Sequence, residues 1–147
     1  MSEMGSHACS FRLDGRLYGF DLAGVREVHP YSPWVPVPLA HRGIHGLVNL
    51  RGRIHLILNI RALLGLPEKA PSESDLLILF NETAGPSFGV VVDEIGGILP
   101  LSGPSLNSAG PLVASVMAAK DGMLTLVRAE AMISAVSQRE PDGGEKS

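Results

Sequence analysis

Cysteine is nearly missing: Cys9 is the only one among 147 residues. No disulfide can form within the chain, and a reducing compartment fits. Aromatic residues are scarce too, at 5% against 45% hydrophobic overall, so the core must be mostly Leu, Val and Ile. There is no basic excess. Twelve Lys and Arg face 15 Asp and Glu, for a formal net charge of −3. A nucleic-acid binder ordinarily carries positive charge to neutralise phosphates, so no nucleic-acid partner is expected. No apolar run approaches the ~18 residues of a membrane span; Leu76 to Phe80 is typical of the longest. Direct membrane insertion is therefore not expected. Residues 1–10 lack the basic-then-apolar pattern of a signal peptide. A cytoplasmic location follows as the default.

The chemistry of an enzyme is missing as well. The five histidines are His7, His29, His41, His45 and His55. His41 and His45 are spaced like two metal ligands on one helix face, but Gly43 and Gly46 interrupt that helix and no third ligand has convincing spacing. Gly96-Gly97 opens no phosphate loop, because no Gly-Lys-Ser/Thr comes after it. Asp93-Glu94 is read as a solvated pair, since adjacent residues point different ways. Cys9 has no basic neighbour closer than Arg12, so an activated thiol has little support. No catalytic residue, cofactor or metal site is assigned.

What is present is a succession of short strands. Phe11 to Leu22 reads as two strands joined at Asp14-Gly15, a strong hairpin signal. Val25 and Val28 extend the apolar pattern towards Pro30, and Pro30, Pro33, Pro36 and Pro38 then impose an irregular segment. Ile44 to Leu50 and Arg53 to Leu58 are strands meeting at a basic turn, Arg51-Gly52. Gly52 suits a positive φ, while an exposed Arg51 at the same tip is either a solvated turn charge or available to a partner. Asn59 caps a short helix that Gly65 and Pro67 end. Strands follow at 75–81 and 88–92, with a turn at 81–87 between them. A shorter extended piece covers 95–101, and 102–111 is a loop. Strands at 112–118 and 123–127 and a helix at 129–136 complete the chain. Residues 1–9 are expected to be loose and 137–147 to form a disordered tail.

The chain also repeats itself. Tyr18-Gly19-Phe20-Asp21-Leu22 with Val25, Val28 and Pro30 matches Phe88-Gly89-Val90-Val91-Val92 with Ile95, Ile98 and Pro100, at an offset of 70. Ile54 to Leu58 and Leu64 match Met123 to Val127 and Ile133, at an offset of 69. Two such matches indicate two similar halves. Strands this short predict a mainly β fold with each half a small β-barrel, and each half is small enough that the two must fold as one unit. On the strand from Arg53, Ile54, Leu56 and Leu58 share one face. His55 and Ile57 take the other, where Ile57 is a candidate for cover by the second barrel or by a partner.

In order and spacing these segments resemble the CheW-like family of bacterial chemotaxis adaptors. The resemblance spans residues 10–136. It rests on Phe11-x-Leu13-x-Gly15-x-x-Tyr18-Gly19-Phe20, on Val25-Arg26-Glu27-Val28, and on Gly46-Leu47-Val48-Asn49-Leu50-Arg51-Gly52. Arg61-Ala62-Leu63-Leu64-Gly65, Phe88-Gly89-Val90-Val91-Val92-Asp93 and the last strand and helix complete it. It implies two packed five-stranded SH3-like barrels with short helices and no catalytic activity. It further implies a role coupling the cytoplasmic tip of a methyl-accepting chemoreceptor to a CheA-type histidine kinase, in the bacterial cytoplasm at membrane-associated receptor arrays. Arg51 falls in the receptor-facing region, and Glu27 is expected to pair with it. Asn49, Gly52 and Ile57 join them as candidate partner-binding residues. The chain departs from the family where Leu56-Ile57-Leu58-Asn59-Ile60-Arg61 replaces Pro-Val-x-Asp-Leu-Arg, and where Arg128 replaces a second Asp. Arg cannot accept N-cap hydrogen bonds, so the last helix is expected to start differently or to lose ~1 kcal/mol of capping. A ligand- or peptide-binding barrel outside chemotaxis is the alternative function.

Overall fold

The computed structural model describes residues 7–81, 87–102, 105–107, 110–120 and 122–137. Its strands are β1 (His7–Leu13), β2 (Arg16–Asp21), β3 (Val25–Pro30), β4 (Ile44–Leu50), β5 (Arg53–Leu58), β6 (Leu76–Phe80), β7 (Phe88–Val92), β8 (Glu94–Pro100), β9 (Ser105–Asn107), β10 (Val113–Ala119) and β11 (Gly122–Val127). The helices are α1 (Ile60–Leu64) and α2 (Ala129–Ser137). Two hairpins have the expected two-residue turns. Asp14 and Gly15 sit at φ 54° and 79°, and Arg51 and Gly52 at 53° and 85°. Positive φ at both positions matches the right-handed twist of the flanking strands. In α1 the Asn59 side chain accepts from the Ala62 N–H at 3.2 Å. Gly65, at φ 76°, closes the helix in the left-handed region.

The strands form two sheets, ordered β8-β1-β2-β11-β10-β9 and β3-β6-β7-β5-β4. The repeat makes their relation plain. Exchanging β1, β2 and β3 with β6, β7 and β8, and β4 and β5 with β10 and β11, turns one order into the other, with β9 left over. The expectation that each half forms its own barrel is therefore corrected: both sheets draw strands from both halves. The crossings are the two parallel pairs. Tyr18, Gly19 and Phe20 lie beside Thr125, Leu126 and Val127, and Phe88, Gly89 and Val90 beside Leu56, Ile57 and Leu58. An antiparallel hairpin can pair with its own return strand, whereas a parallel pair needs a long connection. That connection is what carries the chain from one sheet to the other.

Burial follows the alternation of side chains along each strand. A central cluster shared by both sheets includes Phe11, Tyr18 and Phe20 from one and Leu58, Ile78, Phe80, Phe88 and Val90 from the other, with Val127 and Met132. The opposite faces fill two smaller cores, one of Val48, Leu50, Ile57, Leu77 and Leu79 and one of Ala8, Leu17, Met117 and Leu124. Among the described residues, no helix is long and apolar enough to cross a membrane.

Other differences from the sequence reading are local. Residues 7–9 are not loose but begin β1, where Ala8 and Cys9 pair with both β2 and β8 and are buried. The 102–111 loop contains β9, which pairs with β10. The proline-rich segment is tied to β4 by Val35, whose N–H and carbonyl both bond Leu47. Ser137, expected in the tail, ends α2 by donating to the Ile133 carbonyl at 2.8 Å. Residues 1–6, 82–86 and 138–147, which hold most of the expected loose start, turn and tail, lie outside the described residues. Arg128 acts as a strap. Its backbone N–H donates to Leu112 at 2.8 Å and its guanidinium to the Pro111 carbonyl at 3.2 Å. The repeat-related Asn59 N–H donates likewise to Gly43 at 2.7 Å.

Candidate partner-docking site

The β4–β5 turn places Arg51 where the sheet order would not suggest. β3 and β4 are the two end strands of their sheet, yet Arg51 from the turn after β4 reaches Glu27 and His29 on β3. The sheet must therefore roll up, as a strand set with an apolar interior does. Arg51 donates from Nη2 to Glu27 Oε2 at 2.9 Å and Oε1 at 3.3 Å. Its Nη1 lies 2.9 Å from His29 Nε2. The expected Glu27–Arg51 pair is present. The side chain of Arg51 remains 65% exposed while Glu27 is 29% exposed, so the carboxylate supports an arginine that still faces outward. The Arg51 guanidinium holds the Glu27 carboxyl below its usual pKa range, with His29 and Arg26 adding to the effect.

Asn49 and Gly52 serve the turn. The Gly52 N–H donates to Asn49 Oδ1 at 3.0 Å, bracing the backbone that holds Arg51 at its unusual φ. Val28 and Ile54 are exposed, at 41% and 56%, and Arg53 donates to Ser87 Oγ at 3.0 Å. Ile57 is corrected: it is fully buried among Val48, Leu50, Leu77 and Leu79 and offers nothing to a partner. Its strand runs between β4 and β7, and the His55–Ile57 face looks into the rolled sheet. His55 is buried beside it, and burial, then Arg26 and Arg53, lowers its pKa.

A second charged cluster went unread in the sequence. Arg61 of α1 is 8% exposed and donates to Asp14 at 2.8 Å, Asp93 at 2.7 Å and the Pro67 carbonyl at 2.9 Å. The Asp14 N–H also donates to Asp93 at 3.1 Å. Asp93 is thus an ion-paired corner and not half of a solvated pair. Burial opposes the Arg61 charge, but Asp14 and Asp93 outweigh it and raise the pKa; Arg61 in turn lowers that of Asp14. The cluster joins the β1–β2 turn, α1 and the β7–β8 corner, so its work is to hold the two sheets in register. The separation of Asp14, Arg61 and Asp93 along the chain concealed it.

The histidine and cysteine candidates for chemistry have other occupations. His41 Nδ1 accepts from the Gly43 N–H at 2.8 Å. The His45 ring packs on Trp34 with centroids 4.2 Å apart, and burial lowers its pKa. Among the described residues no group of three His, Cys, Asp or Glu is placed to hold a metal. Cys9 is buried, and desolvation pushes its thiol pKa up, away from reactivity.

Residues 7–137 match the model of the CheW-like domain. The chemotaxis protein CheW of Thermotoga maritima is 28% identical over 93 residues, which cover 63% of this chain and 60% of that protein. That of Rhizobium meliloti is 28% identical over 98 residues, covering 67% and 63%. The chain thus spans less than two thirds of the length of these relatives. Among solved structures, the scaffolding protein TtCheW of Thermoanaerobacter tengcongensis superposes with a TM-score of 0.80 at 20% identity, over 93% of this chain and 98% of that one. The fold is that of this scaffolding protein.

Proposed function

The chain belongs to the CheW-like domain family, and on that premise we propose that it is a chemotaxis adaptor coupling chemoreceptors to a CheA-type histidine kinase. Its action is geometric. Separate surfaces of one folded unit hold the cytoplasmic receptor tip and the kinase in fixed relation, so that receptor state biases kinase conformation. No bond is made or broken in this scheme, and no cofactor takes part. Individual contacts are weak and are strengthened by repetition in an array at the membrane.

The observation that carries the reading is Arg51. It stands at a turn tip at φ 53°, braced by Glu27, with its side chain still 65% exposed. An exposed arginine held by a carboxylate on β3 suits a docking contact. The receptor tip is assigned to this face. The test is pull-down of a receptor-tip fragment and of the kinase by wild type, by Glu27→Arg, by Arg51→Glu and by the double swap. Each single change is expected to weaken receptor capture, and the double swap to recover it in part. Failure of both receptor and kinase to bind the wild type would refute the adaptor reading and favour a peptide-binding barrel outside chemotaxis.

A further inference from the structure

Two side chains compete for one ring nitrogen. His29 Nε2 lies 2.9 Å from Arg51 Nη1 and 3.1 Å from Glu27 Oε2. When Nε2 carries a lone pair it accepts from Arg51 and has nothing to give Glu27. When Nε2 carries a proton it donates to Glu27, and Arg51 Nη1 then faces a hydrogen and, in the charged ring, a like charge. Only one arrangement can hold at a time.

We propose that His29 is the positioning residue of this site, and that the proton on Nε2 decides whether Arg51 Nη1 is bound to His29 or is free to reach a carboxylate of the docking partner, while Nη2 stays on Glu27. The link to docking rests on the adaptor reading above; the hold on Arg51 does not. The charged and titratable groups near His29 come from three places in the fold. Glu27 and Arg26 share its strand, Arg51 comes from the turn, and Arg53 and His55 lie on β5. Its cross-strand neighbour on β6 is the apolar Leu77. Glu27 stays ionised through the histidine range, since Arg51 holds its pKa down. His55 is buried and resists protonation. Protonation of His29 therefore adds one positive charge at the surface and frees an arginine donor in the same step, and both favour an anionic partner.

The test follows the full chain by NMR between about pH 5.5 and pH 8, the histidine range, with the His29 ring and the Arg51 guanidinium labelled with nitrogen-15. At the upper pH, Nε2 of His29 is expected to report a lone pair, and the Arg51 signals to titrate with the midpoint of His29. His29→Gln, which keeps a neutral acceptor, is expected to hold the Arg51 signals constant; His29→Ala is expected to leave the Nη1 signal in its unbonded position throughout, with Nη2 still on Glu27. Arg51 signals that ignore the His29 titration, or an Nε2 that carries the proton at the upper pH, would overturn the proposal. In a second arm, a receptor-tip fragment is expected to bind wild type about two- to fivefold more tightly at the lower pH, the range of one exposed charge contact. His29→Gln is expected to bind it equally at both. Equal binding by wild type at both pH values would also overturn the proposal. Binding at neither pH would count against the adaptor reading alone, and the Arg51 titration would still decide the role of His29.

Discussion

Gly19 and Gly89 occupy equivalent places in the two parallel crossings, and the effect of adding one methyl group at each should differ sharply. A Cβ at Gly89 would fall well inside contact distance of the Ile78 carbonyl oxygen and 2.7 Å from Leu79 Cδ2. The first obstacle is the backbone of the neighbouring strand, which cannot move without displacing β6. Overpacking of this kind costs about 1–3 kcal/mol. Loss of unfolded-state freedom on going from Gly to Ala returns about 0.4–1 kcal/mol. The net expectation for Gly89→Ala is a loss of roughly 1–2 kcal/mol. At Gly19 the nearest atoms are Ala8 Cβ and Leu124 Cδ1, both at 3.2 Å. Shifts of a few tenths of an ångström, largely in one flexible side chain, would relieve them. Gly19→Ala should therefore lie within about 1 kcal/mol of wild type in either direction. The assay is urea unfolding with the slope compared between variants, supported by thermal melting, where each kcal/mol is worth about 3 °C for a chain of this size. If Gly89→Ala is as stable as Gly19→Ala or more so, with unchanged slopes, the claim that the Ile78 backbone leaves no room for a side chain at Gly89 is refuted.

Arg61→Met should cost about 2–3 kcal/mol in urea unfolding. Breaking a buried pair typically costs 3–5 kcal/mol, and the partial exposure of Asp14 and Asp93 lets water recover some of it; a loss under about 0.5 kcal/mol would remove Arg61 as the clamp between the sheets. Burial lowers the folded-state pKa of His45 and His55, so their contribution to stability is complete above about pH 6.5 and is lost as pH falls towards the folded values. A lower urea midpoint at about pH 5.5 than at pH 7.5 would bear this out, and a flat profile would contradict it. Cys9 should resist a thiol reagent in the native chain and react promptly after denaturation, because burial both covers it and raises its pKa; equal rates in the two states would show that β1 is not seated as described.

Local features were legible in the sequence because their causes are local. Asp14-Gly15 and Arg51-Gly52 specify two-residue turns by their backbone needs alone, and Asn59 and Gly65 mark a helix by satisfying its end groups. The repeat was legible from spacing. What spacing cannot convey is which copy of a strand is chosen as neighbour, since β2 and β7 present nearly the same residues to either sheet. For the same reason Ile57 was misread. Alternation says that His55 and Ile57 share a face, but strands buried on both sides carry apolar residues on both, and nothing in the pattern says which face looks inward. Glu27 and Arg51 could be paired only through the resemblance to a family. His29 gave no sign of itself, because its importance depends on a sheet that rolls until its two ends meet. Arg61 stayed hidden because its partners lie far along the chain on either side.

The exchange of strands between the halves has a consequence for how the protein comes into being. Tyr18 must wait for Thr125, so during synthesis the sheet begun by β1 and β2 stays open until the chain has been made almost to α2. The other sheet, which needs nothing beyond β7, can close first. Contacts this distant in sequence make folding slow, and an early-emerging hairpin with an unpaired apolar edge is a target for wrong association. A nascent chain arrested before β10 would therefore hold one finished sheet and the partial sheet β8-β1-β2 with its β2 edge unpaired, and chaperones would be expected to engage that edge.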